Sequence, residues 1–108
     1  MAAPRIRNIY VIELDDAVRA RRKFVAANPD CRLDKPCLYV GSTGRTPEER
    51  FAQHKAGIRA ARFVETYGIR LRPRLYERYN PMTYEDAQEM EVELARRLRK
   101  RGFGVWQN

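Results

Sequence analysis

The chain has 108 residues, 44% of them hydrophobic, with a net charge of +8 and a pI near 10.0. That length holds one hydrophobic core and excludes a second independent domain, and the apolar and aromatic content excludes a disordered tail. No apolar run is long enough to cross a bilayer, and residues 1–7 lack the apolar stretch of a secretory signal, so a soluble cytoplasmic protein is the expectation.

The surplus of positive charge favours a polyanion, through phosphate contact and release of counterions. Arginine supplies 18 of the 22 basic residues, which fits nucleic-acid binding and an arginine-rich genome equally. Cys31 and Cys37 lack the second pair of ligands that a zinc site needs, and the chain has one histidine. Neither cysteine is assigned a role, and Cys37 reads as a small buried residue at a strand start.

In chain order, residues 7–14 are β-branched and aromatic and predict a strand bounded by Asp15 and Asp16. Either aspartate can cap a helix over residues 17–26, which stops before the turn signal Asn28-Pro29-Asp30. A second strand follows at residues 37–41 and closes on Ser42-Thr43-Gly44. Thr46-Pro47-Glu48-Glu49 is a strong helix start: Thr46 caps, Pro47 suits the first helical position and Glu49 completes a capping box. This helix weakens at Gly57, and residues 58–67 predict a second helical piece. Residues 69–77 alternate apolar and basic around Pro73, as an edge strand tolerates. After the turn at Asn80-Pro81 the longest helix runs from residue 84 to about 101, with Gly102 placed to end it in a left-handed conformation. Residues 103–108 read as a short strand or coil.

Three sets of residues could carry chemistry. In the last helix Ala87, Met90, Leu94 and Leu98 mark the buried stripe, and Glu91 sits on or beside it. A carboxylate aimed at a core needs a partner, either an arginine or a divalent ion, and position alone rates these evenly. Arg50 and His54 are four apart and share one face of their helix, where a guanidinium fork suits phosphate and an imidazole suits proton transfer; an ordinary solvated face explains the spacing as well. Tyr10 and Tyr39 lie mid-strand. A phenol there is more often core than catalyst, since its ordinary pKa near 10 makes it a poor base.

Together these residues resemble the GIY-YIG nuclease family over residues 8–108. Asn8-Ile9-Tyr10-Val11-Ile12 looks like the first motif, with Asn for the usual Gly. Tyr39-Val40-Gly41-Ser42-Thr43 looks like the second, with Val for Ile. Arg50 and His54 follow at the family's spacing, Glu91 in Glu-x-x-Leu-Ala matches its metal-binding glutamate, and Trp106-Gln107-Asn108 matches its closing segment. The resemblance implies an α+β fold with a small three-stranded antiparallel sheet flanked by helices, presenting Tyr10 and Tyr39 on one face, opposite Arg50 and Glu91. It further implies a metal-dependent endonuclease acting on DNA, with Mg²⁺ at Glu91 (Mn²⁺ substituting), Arg50 on the phosphate, and Tyr10 positioning or deprotonating water and passing its proton toward His54. Tyr39 would orient water or phosphate, and Asn108 would buttress the site.

Two departures stand out. The stretch between Tyr10 and Tyr39 is long, about residues 15–36, and its inserted helix carries Arg19, Arg21, Arg22 and Lys23. These read as a solvated face or, with Lys55, as contacts to nucleic acid. No separate DNA-binding domain is present, so specificity falls to this domain, a protein partner or a larger parent protein. The rival classes are a nucleic-acid-binding module with catalysis weak or lost, and a small RNA-associated basic protein.

Overall fold

The computed structural model describes residues 6–107. The first strand, β1 (Ile6–Leu14), is its axis. Ile9 to Ile12 are at most 1% exposed, so β1 is covered on both faces and reads as a continuous apolar run, as a central strand should. β2 (Cys37–Thr43) pairs antiparallel with β1, Tyr10 opposite Gly41 and Ile12 opposite Tyr39. β3 (Gly68–Leu71) pairs antiparallel with the other side of β1, and the two-residue β4 (Met82–Thr83) pairs with its start.

The α+β class expected from the sequence holds, but the sheet is larger than the three antiparallel strands expected. It has five strands and is mixed, because β5 (Gly104–Gln107) lies parallel to β2. The path β3-β1-β2-β5 puts β3 at an edge. The strand expected to reach residue 77 ends at Leu71; Arg72 makes one further ladder bond to the Val11 carbonyl, and Pro73 then opens a 3-10 turn, Pro73–Leu75.

The sequence predicts one helix between β1 and β2. The structure has a 3-10 turn, Asp16–Ala20, and then α1 (Arg22–Ala27), with Arg21 extended between them. The Asp15 carboxylate accepts the Ala17 N–H and tightens this first turn, while Val18 anchors it in the core. α2 (Pro47–Lys55) starts as its capping box dictates, Thr46 accepting the Glu49 N–H and donating to its carboxylate. α3 (Arg62–Tyr67) follows. α4 (Tyr84–Lys100) is capped by Thr83, buries Ala87, Leu94, Ala95 and Leu98, and ends where Gly102 takes φ +94°.

Side chains alternate along a strand, so Tyr10, Tyr39 and Gly41 share one face and Ile9, Val40 and Ser42 the other. α2 covers the first face through His54, and α4 meets the second where Glu91 reaches Ser42. Two buried or half-buried amides replace missing strand neighbours. Asn80 donates to the Ile9 carbonyl and accepts the Ile9 N–H. Asn28, 4% exposed, does the same for Val105 at the outer edge of β5, and also bonds the Phe24 carbonyl and the Arg99 guanidinium.

The Asn28→Ala variant therefore leaves a buried N–H and carbonyl of Val105 without those partners. We expect it to lose about 2–4 kcal/mol of stability, read from urea unfolding. A loss under about 0.5 kcal/mol would mean that the amide does not hold this edge.

Candidate active site

The two tyrosines come from neighbouring strands, their ring centroids 6.1 Å apart. Tyr10 is 1% exposed and Tyr39 2%. The Tyr10 ring lies over Gly41, where an added Cβ would fall 2.6 Å from the hydroxyl oxygen and 2.7 Å from Cζ. Glycine in the second motif is thus required by close approach, since no side chain fits beneath the phenol. Asn8, where the family has glycine, donates from its amide to the Arg45 carbonyl at 3.0 Å and ties the start of β1 to the loop after β2.

His54, fully buried, stands over both rings, 5.9 Å from Tyr10 and 5.6 Å from Tyr39 by centroid. Its Nδ1 accepts the Ala61 N–H at 3.1 Å. A neutral imidazole has one donor and one acceptor nitrogen. Nδ1 being the acceptor, the proton is assigned to Nε2, which lies 2.8 Å from the Tyr10 hydroxyl and donates to it. Burial first, and the Arg50 guanidinium second, lower the His54 pKa to about 4, so the ring is neutral at pH 7. The Tyr10 phenol is pushed well above its ordinary 10 by burial and then by Tyr39, with Arg50 pulling the other way.

Arg50 sits one turn before His54 on α2. It donates to the Gln53 side chain (3.2 Å) and to the carbonyls of Ile58 (3.1 Å) and Arg59 (2.8 Å), so it also fixes the loop after α2, where Gly57 and Arg59 have positive φ. A guanidinium has more N–H donors than these bonds use. Arg50 lines a cleft of about 610 Å³ with Arg7, Ser42, Arg45 and Arg59, at the point where β2 leaves the sheet.

Glu91 enters this region from the opposite face of the sheet. Its Oε2 accepts the Ser42 hydroxyl at 3.0 Å. Burial raises its pKa, against smaller opposing effects from Ser42 and from the charge of Arg7. Among the described residues no hydrogen bond joins Glu91 to Tyr10, Arg50 or His54, and the shared element is the cleft, which Ser42 and Arg50 both line. The structure thus brings Tyr10, Tyr39, Arg50 and His54 together on one face, and joins Glu91, on the other, to the cleft-lining Ser42. Asn108 lies outside the described residues.

Sequence reading missed Arg7 and Ser42. Ser42 stood inside the second motif, and its place opposite Ile9 puts it on the α4 face. Arg7 gave no signal beyond its charge. It reaches the Ser42 carbonyl and hydroxyl at 3.4 and 3.5 Å, its Nε is a buried donor without a partner among the described residues, and its guanidinium lies 5.3 Å from the Tyr84 ring centroid. Of the residues expected to touch nucleic acid, two have internal partners. Arg19 binds the carbonyls of Lys35 and Arg32, and Lys55 those of Glu65 and Gly68. Arg21, Arg22 and Lys23 are exposed. Both thiols are free, and burial pushes that of Cys37 up to about 11.

Among the described residues no group of three His, Cys, Asp or Glu could hold a metal, and no helix is long and apolar enough to cross a membrane. Against known families, the model described as the GIY-YIG catalytic domain matches residues 24–102. That span includes Tyr39, Arg50, His54 and Glu91 and leaves Tyr10 outside. Comparison with curated proteins and with solved structures finds no match.

Two outcomes are expected. Gly41→Ala should cost about 1–3 kcal/mol by overpacking and displace Tyr10 from His54; an unchanged melting temperature would contradict the close approach. The folded-state pKa of His54 is depressed below the unfolded value near 6.5, so its contribution to stability is present above 6.5 and is lost as the pH falls toward 4. Unfolding free energy should therefore drop by about 2 kcal/mol between pH 7 and 5, and His54→Gln should flatten that slope.

Proposed function

The chain belongs to the GIY-YIG catalytic-domain family, whose members are nucleases, and on that premise we propose that it is a metal-dependent endonuclease that hydrolyses phosphodiester bonds in DNA. The observation that carries this reading is the neutral His54 bonded to the Tyr10 hydroxyl beside Arg50, which itself lines a cleft with Arg7, Arg45 and Arg59.

The proton direction in this reading differs from the relay that the family resemblance implies. His54 Nε2–H is already a donor to Tyr10, so the histidine does not receive the phenol's proton in this tautomer. It holds the phenolic oxygen instead, and the Tyr10 hydroxyl also shares side-chain hydrogen bonding with Tyr39 and with Arg50, which links it to the cleft that Arg50 lines. As His54 donates, any negative charge that develops on Tyr10 is stabilised by that bond and by Arg50. The raised Tyr10 pKa means that a phenolate is scarce at neutral pH, so a base role for Tyr10 would grow with alkalinity. The donors of Arg50 not taken by its loop are available to a phosphate oxygen, where a fixed guanidinium favours the more negative transition state. Tyr39 packs against both partners and keeps bulk water from them.

The residues present fit a hard divalent cation held by few protein atoms. Glu91 is a half-buried carboxylate with one short hydrogen bond, from Ser42, and Mg²⁺ keeps most of its waters when bound by one or two carboxylates. When bound there, Mg²⁺ or Mn²⁺ would supply Lewis-acid stabilisation of the charge on phosphate and leaving oxygen. Ser42 orients the carboxylate, and the charge of Arg7 partly offsets the effect of its burial.

Labelled supercoiled, linear, single-stranded and branched DNA, incubated with Mg²⁺, Mn²⁺ or chelator, tests the proposal. Wild type should cut only with metal, and Glu91→Gln should lower the rate by about a hundredfold or more. Because burial disfavours the Glu91 carboxylate, the same variant should melt no lower than wild type at pH 7. Chelator-resistant cutting would sink the metal role. Binding of every substrate without cutting would favour the binding-module reading.

A further inference from the structure

A second cleft, of about 550 Å³, opens between α1, α3 and β5. Four cations line it, Arg21, Arg22, Lys23 and Arg62, with the rings of Phe63 and Trp106 and no acidic residue. All four cations are exposed, and none makes a side-chain hydrogen bond or ion pair among the described residues. Arg19, a few residues away, by contrast donates to the carbonyls of Arg32 and Lys35 and to the Cys31 sulfur, and pairs with Asp16. A cluster of like charges without counter-charges weakens the fold by mutual repulsion and is relieved by an anion.

The rings are what separate this cleft from an ordinary solvated basic face. Trp106 is half-buried and packs edge-on against Phe63, centroids 4.9 Å apart at 64°. Its indole N–H has no partner among the described residues. Trp106 is the register partner of Tyr39, so it projects from the same sheet face as the two tyrosines, one strand beyond Tyr39. Neighbouring strands are about 4.8 Å apart, so the Trp106 backbone lies one strand spacing from Tyr39, on the sheet face that carries the tyrosines and His54.

We propose that the cleft binds an unpaired nucleobase of a single-stranded segment, stacked on Trp106, with its flanking phosphates on Arg21, Arg22, Lys23 and Arg62. The inference deepens the nuclease reading and rests on it: the preferred substrate carries unpaired nucleotides beside the bond to be cut. Inside a duplex the face of a base is covered by its neighbours and cannot enter a recessed cleft, whereas an unstacked base offers its π-face to an aromatic ring whatever its sequence. The four cations supply the strand-tracking charge that such stacking sites require.

Trp106 is the only tryptophan, so fluorescence excited at a wavelength that the six tyrosines do not absorb reports on this cleft alone. Glu91→Gln in chelator is titrated with a thymidine oligonucleotide, a blunt hairpin duplex and heparin as a polyanion without bases. Saturable quenching by the oligonucleotide, well beyond that by duplex or heparin at equal occupancy, is expected. In anisotropy with labelled oligonucleotide, Trp106→Leu should bind about tenfold more weakly, as loss of one stacked base implies. The exposed pair Arg22→Glu and Lys23→Glu, which leaves the ring packing intact, should weaken binding at least as much. Equal quenching by heparin, oligonucleotide binding without quenching, absence of binding, or full affinity in the charge-reversed protein would overturn the proposal. Quenching by a wild type that cuts no substrate with metal would instead leave the cleft standing and remove the nuclease reading.

Discussion

The buried imidazole of His54 is the joint on which the rest of the site turns. It takes one hydrogen bond from the Ala61 backbone and gives one to Tyr10, and the first of these needs the ring uncharged. Through it α2 is seated on the tyrosine face of the sheet, and Arg50 follows one helical turn back. Arg50 in turn holds the carbonyls of Ile58 and Arg59, so the loop that delivers the Ala61 N–H is fixed from both ends. Gly41 keeps the space beneath Tyr10 open. A charged histidine would lose Nδ1 as an acceptor and set the Ala61 N–H against a second donor.

Glu91 obeys the opposite logic. Burial works against its charge, and one hydroxyl and a neighbouring guanidinium are modest compensation. A side chain kept this way costs stability, which is the usual condition of a group held ready for a ligand rather than for packing. The exposed ion pairs of α4, such as Glu93 with Arg96 and Arg97, show how the same helix treats a carboxylate that has nothing else to do. There the partners lower the pKa of Glu93 to about 2.

Much of this was legible in the residues themselves. β1, β2, the capping box of α2 and the apolar stripe of α4 are local signals, and local physics decided them. Tyr10, Tyr39, Arg50, His54 and Glu91 were singled out from spacing and family resemblance together, and four of them meet around the His54 ring and Arg50. What escaped was non-local. β5 is four residues long and becomes a strand only because α4 carries the chain back beside β2, so its pairing has no signature in its own sequence. β4 is two residues. Asn28 and Asn80 read as turn residues, and nothing local says that their amides serve as strand neighbours. Arg7 is one arginine among 18. The basic residues expected to form one surface divide by partner: Arg19 and Lys55 staple the fold, while Arg21, Arg22 and Lys23 face a cleft.

Because the chain has one histidine, its ring nitrogens can be read without ambiguity. The most direct measurement is a ¹⁵N–¹H correlation spectrum of the His54 side chain at pH 7 and pH 6, in wild type and in Tyr10→Phe. A neutral ring protonated at Nε2 at both pH values, with the Nε2 resonance shifted in Tyr10→Phe, is the predicted result. An imidazolium at pH 6, or a proton on Nδ1, would contradict the joint and with it the arrangement of Tyr10 and Arg50 built upon it.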